Sequence, residues 1–261
     1  MKLSSMNVFF FDMDGVLSVG KETPRYLGGR EIISQIKTSG RQVYVLTNDS
    51  THTRKEIHES LIRLGFSFAF EEVLTSSYLT ALYLNHRFHR NISFYLVGER
   101  GLDYELQTAG HSPNEEHPDV VVAGLDRDLS YRKLNSAVKL LRSGASLVGS
   151  YGGAVYMGDH GPALSAGPII KALEYGSGKR AIIVGKPSPV MFRFALKLSH
   201  QEPSKAVMVG DQIETDLLGA HKTGVHTVLV LSGVETRESL KDSKVKPELV
   251  LENVDALKRY L

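Results

Sequence analysis

Short apolar runs recur along the chain, and within each run the apolar residues are continuous rather than alternating. Five such runs stand out: NVFFF (7–11), VYVL (43–46), AIIV (181–184), AVMV (206–209) and TVLVL (227–231). Continuous apolar runs of this length are typical of strands that are buried on both faces of a parallel sheet. The pattern therefore predicts parallel strands at these five places.

Amphipathic stretches lie between the apolar runs. Residues 29–40, 53–65 and 215–224 carry apolar residues at helical spacing and end at a glycine, and Thr215 is expected to cap the last of them. Alternating strands and helices predict an α/β fold with a doubly wound parallel sheet.

The middle of the chain contains a second set of elements. Strands are expected at 93–98, 119–124 and 146–150, and helices at 130–144, with Ser130 as N-cap, and at 167–178. This block either extends one large sheet or forms a second α/β domain inserted into the first. We favour the insertion, because the candidate chemistry flanks the block. The prediction is a core of residues 1–77 and 180–261 with an inserted α/β cap domain at 78–179.

Composition narrows the class of protein. The 261 residues include 31 basic and 29 acidic ones, so bulk charge gives no support to a nucleic-acid or membrane partner. The absence of cysteine excludes disulfides, thiolate metal sites and cysteine nucleophiles. The N-terminal segment lacks the apolar region of a signal peptide, and no apolar run approaches about 18 residues. We expect a soluble, cytoplasmic protein.

Polar residues follow four of the apolar runs within one or two positions. Asp12, Asp211 and Lys186 follow the runs at 7–11, 206–209 and 181–184, and Thr47 and Asn48 follow 43–46. Ligands of open α/β sheets bind along the carboxyl edge of the strands. Carboxylates without a soft ligand nearby suit a hard cation, most plausibly Mg²⁺. Lysine, threonine and asparagine suit phosphoryl oxygens.

Four segments resemble, in the same order, the four signatures of the haloacid dehalogenase-like (HAD) superfamily. They are DMDGV (12–16), LTN (46–48), GKPSP with Lys186, and GDQIETD (210–216). The sequence around these segments is similar to that of the NagD-like branch, and the resemblance covers nearly the whole chain. It implies a HAD-like core with a large α/β cap between the second and third signatures. It also implies a phosphatase for small phosphorylated metabolites.

The resemblance assigns a role to each matching residue. Asp12 would be the nucleophile and a metal ligand, and Asp14 the general acid/base, with its backbone carbonyl also on the Mg²⁺. Lys186 would neutralise Asp12 and the phosphoryl charge. Asp211 would be a side-chain metal ligand, and Asp216 would lie in the outer shell of the metal.

The same resemblance implies phosphate contacts from Thr47 and Asn48. Two stretches depart from the usual NagD-like pattern. TNDS replaces the common TNNS and places Asp49 near the phosphate, and Ser150 and Tyr151 stand where a T-N-x-D type loop is usual. These three residues are therefore candidate substrate contacts.

The loop at 150–166 is expected to face the active site. Tyr156 and His160 lie in it and are further candidates for contact with the substrate. The identity of the substrate is left open.

Rival functions share parts of this chemistry. A dehalogenase needs neither the second acid nor the metal, so Asp14 and Asp211 argue against it. A phosphotransferase or mutase, which would protect phosphorylated Asp12 from water, stays open. A signalling receiver that accepts phosphate on an aspartate is roughly half as long as this chain, and this difference in length argues against that function. The expectation is a Mg²⁺-dependent phosphatase of a small phosphomonoester, with no nucleic-acid or membrane partner and with assembly into homo-oligomers undecided.

Overall fold

The apolar runs form two separate parallel sheets in the computed structural model, which describes residues 2–20, 23–158 and 161–261. The chain divides into two units, each with its own sheet. Unit 1 contains Met1–Thr47, Ile57–Leu74 and Met191–Leu261, and unit 2 contains Asn48–Glu56 and Thr75–Val190. A single extended sheet, the alternative left open by the sequence, is therefore wrong.

The strands are numbered in chain order. Those of the unit 1 sheet are β1 (Val8–Phe11), β4 (Gln42–Thr47), β5 (Val73–Thr75), β13 (Ala206–Gly210), β14 (His226–Val230) and β15 (Leu249–Leu251). A short antiparallel pair comprises β2 (Ser18–Val19) and β3 (Arg25–Tyr26). The unit 2 sheet contains β6 (Ser93–Val97), β7 (Ser112–Pro113), β8 (Val120–Ala123), β9 (Ser146–Gly149) and β12 (Ile182–Ile183). A hairpin contains β10 (Val155–Gly158) and β11 (Gly161–Leu164).

The helices are also numbered in chain order. They are α1 (Arg30–Thr38), α2 (Arg54–Arg63), α3 (Ser76–Phe88), α4 (Arg100–Thr108), α5 (Tyr131–Arg142), α6 (Ala166–Ser177), α7 (Pro189–Ser199), α8 (Leu218–His221) and α9 (Ser239–Asp242). No helix in these described ranges is long and apolar enough to cross a membrane.

The unit 1 sheet has the strand order β15-β14-β13-β1-β4-β5, with β1 at its centre. Phe11 of β1 lies opposite Val209 on one side and Val45 on the other, in parallel register. Every residue of β1 is fully buried, as expected for a strand covered on both faces. Ile33 of α1 belongs to the core on one of these faces. The predicted strands at 7–11, 43–46, 206–209 and 227–231 are confirmed.

The unit 2 sheet has the order β12-β9-β8-β6-β7, and the chain forms it between β5 and β13. Helices α5 and α6 bury Leu141 and Leu173 in a shared core of this unit. Ser130 caps α5, because its Oγ accepts a hydrogen bond from Lys133 N at 3.2 Å. The predicted Ser130 cap is therefore confirmed.

Three sequence-based expectations need correction. The AIIV run is not a buried strand of the first sheet: it supplies the two-residue edge strand β12 of the second, where Ile182 is 41% exposed. Thr215 is not an N-cap, because a wide helical turn, Ile213–Leu217, precedes α8 and contains it. The stretch 150–166 contains the β10–β11 hairpin rather than a plain loop.

The division into units also differs from the expected domain boundaries in three short segments. Residues 48–56, 75–77 and 180–190 belong to unit 2 rather than to the unit with β1. The role of unit 2 as a cap stays a prediction.

Candidate active site

The carboxyl ends of β1 and β13 bring two carboxylates to one edge of the unit 1 sheet. Asp12 is the first residue after β1, and its N–H donates to Val209 O of β13 at 2.9 Å. Asp211 is the first residue after β13. Asp12 is 7% exposed and Asp211 is 1% exposed. Two acids far apart in sequence therefore become buried neighbours because their strands pair in parallel.

A third carboxylate completes this group, which we call the acidic triad: Asp12, Asp211 and Asp216. Each residue offers one oxygen, and these oxygens lie within 4.8 Å of one another. Asp216 comes from the wide turn after β13, and its Oδ2 accepts from Gln212 N at 3.2 Å. Burying several carboxylates together is costly unless a positive charge compensates them. An all-oxygen donor set without sulfur or imidazole fits a hard divalent cation such as Mg²⁺.

Three glycines make room for the triad. A Cβ on Gly15 would lie 2.3 Å from Asp211 Oδ2, and a Cβ on Gly233 would lie 2.0 Å from the same atom. A Cβ on Gly210 would lie 2.4 Å from the Asp216 Cβ. Gly15 also has a φ of +79°, which disfavours any other residue. Gly15 and Gly210 belong to recognisable signatures, whereas Gly233 does not, so sequence reasoning missed it.

Asp14 lies in the tight loop that follows Asp12. Gly15 N–H donates to Ser18 O at 2.8 Å, and Gly15 O accepts from Ser232 Oγ at 2.7 Å. Asp14 is half-buried and does not belong to the acidic triad. Thr47 ends β4, the strand next to β1, and is buried at the same edge of the sheet. The structure thus places Asp12, Asp14, Thr47, Asp211 and Asp216 in unit 1.

Lys186 and Asn48 lie together in unit 2. The Asn48 carboxamide makes two hydrogen bonds to the backbone of Lys186: Nδ2 donates to its carbonyl at 3.0 Å, and Oδ1 accepts from its N–H at 2.8 Å. Lys186 is 1% exposed. The Asn48 carboxamide therefore contacts the Lys186 backbone through both its nitrogen and its oxygen. The phosphoryl contact that the resemblance implies for Asn48 stays a prediction.

Asp49 organises the turn after Asn48. Its Oδ1 accepts from Thr51 N at 2.8 Å, Thr51 Oγ1 at 3.0 Å and His52 N at 3.1 Å, and its Oδ2 pairs with His52 Nδ1 at 3.0 Å. The hydrogen bond to Glu99 raises the pKa of Arg127, and the negative charge of Asp49 is a smaller cause of the same rise. Its proposed contact with phosphate stays a prediction.

Ser150 and Tyr151 are both buried in unit 2. Ser150 N–H donates to Ala123 O at 2.7 Å, and the Ser150 carbonyl accepts from Gly185 N at 2.7 Å. Tyr151 packs in the unit 2 core, where its hydroxyl accepts from Ser165 Oγ at 2.8 Å. These contacts serve packing, so substrate contact by either residue stays a prediction. Tyr156 lies half-buried on β10, and His160 lies outside the described residues.

Comparison with known proteins supplies independent findings. Residues 9–112 match the family model described as haloacid dehalogenase-like hydrolase, and residues 183–257 match one described as HAD-hydrolase-like. An acid sugar phosphatase of Staphylococcus epidermidis is 30% identical over 240 residues, which are 92% of each chain. A 4-nitrophenylphosphatase structure from Thermotoga maritima has a TM-score of 0.92 at 28% identity and 98% coverage of both chains. NagD from Escherichia coli has a TM-score of 0.86 at 27% identity, covering 95% of this chain and 97% of its own.

Proposed function

This chain belongs to the haloacid dehalogenase-like hydrolases, among their NagD-like phosphatases, and we propose that it uses Mg²⁺ and a phosphorylated Asp12 to hydrolyse its phosphomonoester. The observation that carries the proposal is the acidic triad, in which the buried carboxylates of Asp12, after β1, and of Asp211 and Asp216, after β13, present oxygens within 4.8 Å of one another. Three adjacent buried carboxylates are unfavourable in a hydrophobic core, whereas together they can bind a divalent cation.

The reaction is proposed to run in two displacements. In the first, an Asp12 carboxylate oxygen attacks phosphorus, the bond from phosphorus to the ester oxygen breaks, and Asp14 protonates the departing oxygen. In the second, Asp14 accepts a proton from water as the water oxygen attacks phosphorus. The bond from Asp12 to phosphorus then breaks, which releases inorganic phosphate and restores both carboxyl groups.

Charge compensation is the second requirement of this chemistry. A bound Mg²⁺, held by Asp12 and Asp211 with the backbone carbonyl of Asp14, would offset the negative charge of the phosphoryl oxygens. Asp216, as a member of the triad, would bind the cation directly or hold its water. Lys186 would add a positive charge, and the Thr47 hydroxyl would donate to a phosphoryl oxygen.

Unit 2 is proposed to act as the cap that selects the leaving group. Its sheet is formed by the chain segment between the second and third signatures. Relatives with related sequences carry names as different as acid sugar phosphatase and 5'-nucleotidase. The substrate class is therefore proposed only as a small phosphorylated metabolite.

The test is turnover of 4-nitrophenyl phosphate with both products measured. Excess chelator should abolish turnover, and added Mg²⁺ should restore it. Inorganic phosphate and 4-nitrophenol should appear in equal amounts if water is the acceptor. Full turnover in chelator would refute the metal assignment. A shortfall of phosphate in the presence of an acceptor alcohol would point instead to phosphoryl transfer.

A further inference from the structure

The loop that leads from Asn48 into α2 is bound by carboxylates at four consecutive backbone N–H groups. Thr51 N and His52 N donate to Asp49 Oδ1 at 2.8 and 3.1 Å, and Thr53 N donates to Glu56 Oε2 at 2.9 Å. Arg54 N donates to Glu105 Oε1 at 2.7 Å. Asp49 and Glu56 belong to the loop itself, whereas Glu105 comes from α4, 51 residues later in the chain.

The Glu105 side chain is buried rather than exposed on the surface. It is 6% exposed, and burial raises its pKa, although the N–H and the charge of Arg54 oppose that rise. A buried carboxylate is retained only where it is well bonded. Here it binds an N–H at the start of α2, where such groups have no partner within the helix and where negative charge is favourable.

Two further contacts join α4 to the same loop. Gly101 N–H donates to Thr51 O at 3.1 Å, and a Cβ on Gly101 would lie 2.4 Å from the carbonyl carbon of His52. Arg100 Nη2 donates to Glu56 Oε1 at 2.7 Å. The first turns of α4 therefore fix the loop by an ion pair, a backbone hydrogen bond and direct backbone packing.

The other end of the loop reaches Lys186. Asn48 begins the segment 48–56, and its carboxamide holds both the N–H and the carbonyl of Lys186. Ser76 Oγ donates to the carbonyls of Asn48 at 2.9 Å and Asp49 at 3.2 Å. The position of Lys186 thus depends on a loop whose far end is fixed by α4.

We propose that Glu105 is a positioning residue for the phosphatase reaction, which acts through Arg54 N–H and the loop 48–56 to hold the Asn48 amide against Lys186. The inference rests on the proposed role of Lys186. Loss of the Glu105 contact loosens the start of α2, although the contacts of Gly101 and Arg100 with the loop remain, and the loop and Lys186 then sample positions away from the phosphoryl group. Misplacement by about 1 Å can cost about 10²-fold in rate.

The test compares Glu105→Ala with Glu105→Gln and with a matched control, Asp119→Ala. Asp119 Oδ2 accepts from Ser93 N at 2.8 Å, so it also joins a carboxylate to a backbone N–H in unit 2, but at the start of β6. Glu105→Ala should lower kcat for 4-nitrophenyl phosphate about 10- to 100-fold, leaving the half-saturating Mg²⁺ concentration unchanged. Glu105→Gln keeps an acceptor for Arg54 N–H and should recover most of kcat. Asp119→Ala should lower Tm but keep kcat.

The inference would be overturned if the Glu105→Ala protein has a lowered Tm, like the control, but an unchanged kcat. If that variant does not fold, Glu105→Asp replaces it, because its shorter side chain withdraws the carboxylate from Arg54 N–H, and an unchanged kcat there would overturn the inference equally. If the wild-type protein shows no Mg²⁺-dependent turnover, the proposed function itself is refuted. The two failures are therefore distinguishable.

Discussion

Substitution of Gly233 by alanine tests the acidic triad through sterics alone. Gly233 is not among the glycines with positive φ, so alanine adds no left-handed backbone strain there. The added Cβ would lie 2.0 Å from Asp211 Oδ2, whereas real Cβ contacts are essentially never shorter than 3.0 Å. The carboxylate oxygen must therefore move by about 1 Å or the backbone must give way.

The size of the effect follows from the geometry that Mg²⁺ demands. Mg²⁺ binds oxygen at about 2.0–2.1 Å in near-ideal octahedral geometry, so a displacement of about 1 Å removes Asp211 as a good ligand. The shift also strains the hydrogen bond from Val234 N to Asp211 Oδ2, 2.9 Å long, worth about 1 kcal/mol net. We expect the half-saturating Mg²⁺ concentration to rise about 10- to 100-fold, equivalent to about 1.4 to 2.8 kcal/mol.

The assay is a Mg²⁺ titration of 4-nitrophenyl phosphate hydrolysis, with calorimetric Mg²⁺ binding as a second readout. Gly28→Ala is the matched control, because its Cβ would lie 2.8 Å from Val254 Cγ1, also at a position without positive φ. The control should lose stability but keep its Mg²⁺ dependence. A folded Gly233→Ala protein with wild-type Mg²⁺ dependence would refute the reasoning.

Three further predictions follow from the site and from one buried histidine. Asp12→Asn should abolish turnover and leave the circular dichroism spectrum unchanged; retained turnover would reject the nucleophile. Asn48→Ala removes both hydrogen bonds to Lys186 and should lower kcat about 10- to 100-fold, and an unchanged kcat would show that the amide is dispensable. Burial lowers the pKa of His111 below 6.5, so its stabilising contribution is present above that pH and is lost as pH falls. The free energy of unfolding should therefore fall less between about pH 7.5 and about pH 5 in His111→Gln than in wild type, and equal falls would contradict this.

The sequence predicted the parallel sheets because a strand buried on both faces is apolar at every position. Phe9, Phe10 and Phe11 illustrate this, and the acid that follows them marks the strand end. The AIIV run is also apolar at every position and was predicted to be a buried strand, but it forms a two-residue edge strand. Local composition cannot reveal which sheet a strand joins, because that depends on pairing with distant residues.

The triad was predictable in part. Asp12 and Asp211 follow apolar runs, and parallel pairing of β1 with β13 brings them together. The positions of Gly233 and Glu105 were not predictable, because neither lies in a motif and each acts on a residue distant in sequence. The two hydrogen bonds between the Asn48 carboxamide and the Lys186 backbone were not predictable either, since a signature gives residue type without the direction of the side chain.

The most direct measurement is anomalous diffraction from crystals grown with Mn²⁺ in place of Mg²⁺. The account predicts one strong peak bound by carboxylate oxygens of Asp12 and Asp211 at about 2.0–2.2 Å, with Asp216 as a ligand or bonded to a metal-bound water. A well-ordered crystal at saturating Mn²⁺ with no peak between Asp12 and Asp211 would contradict it.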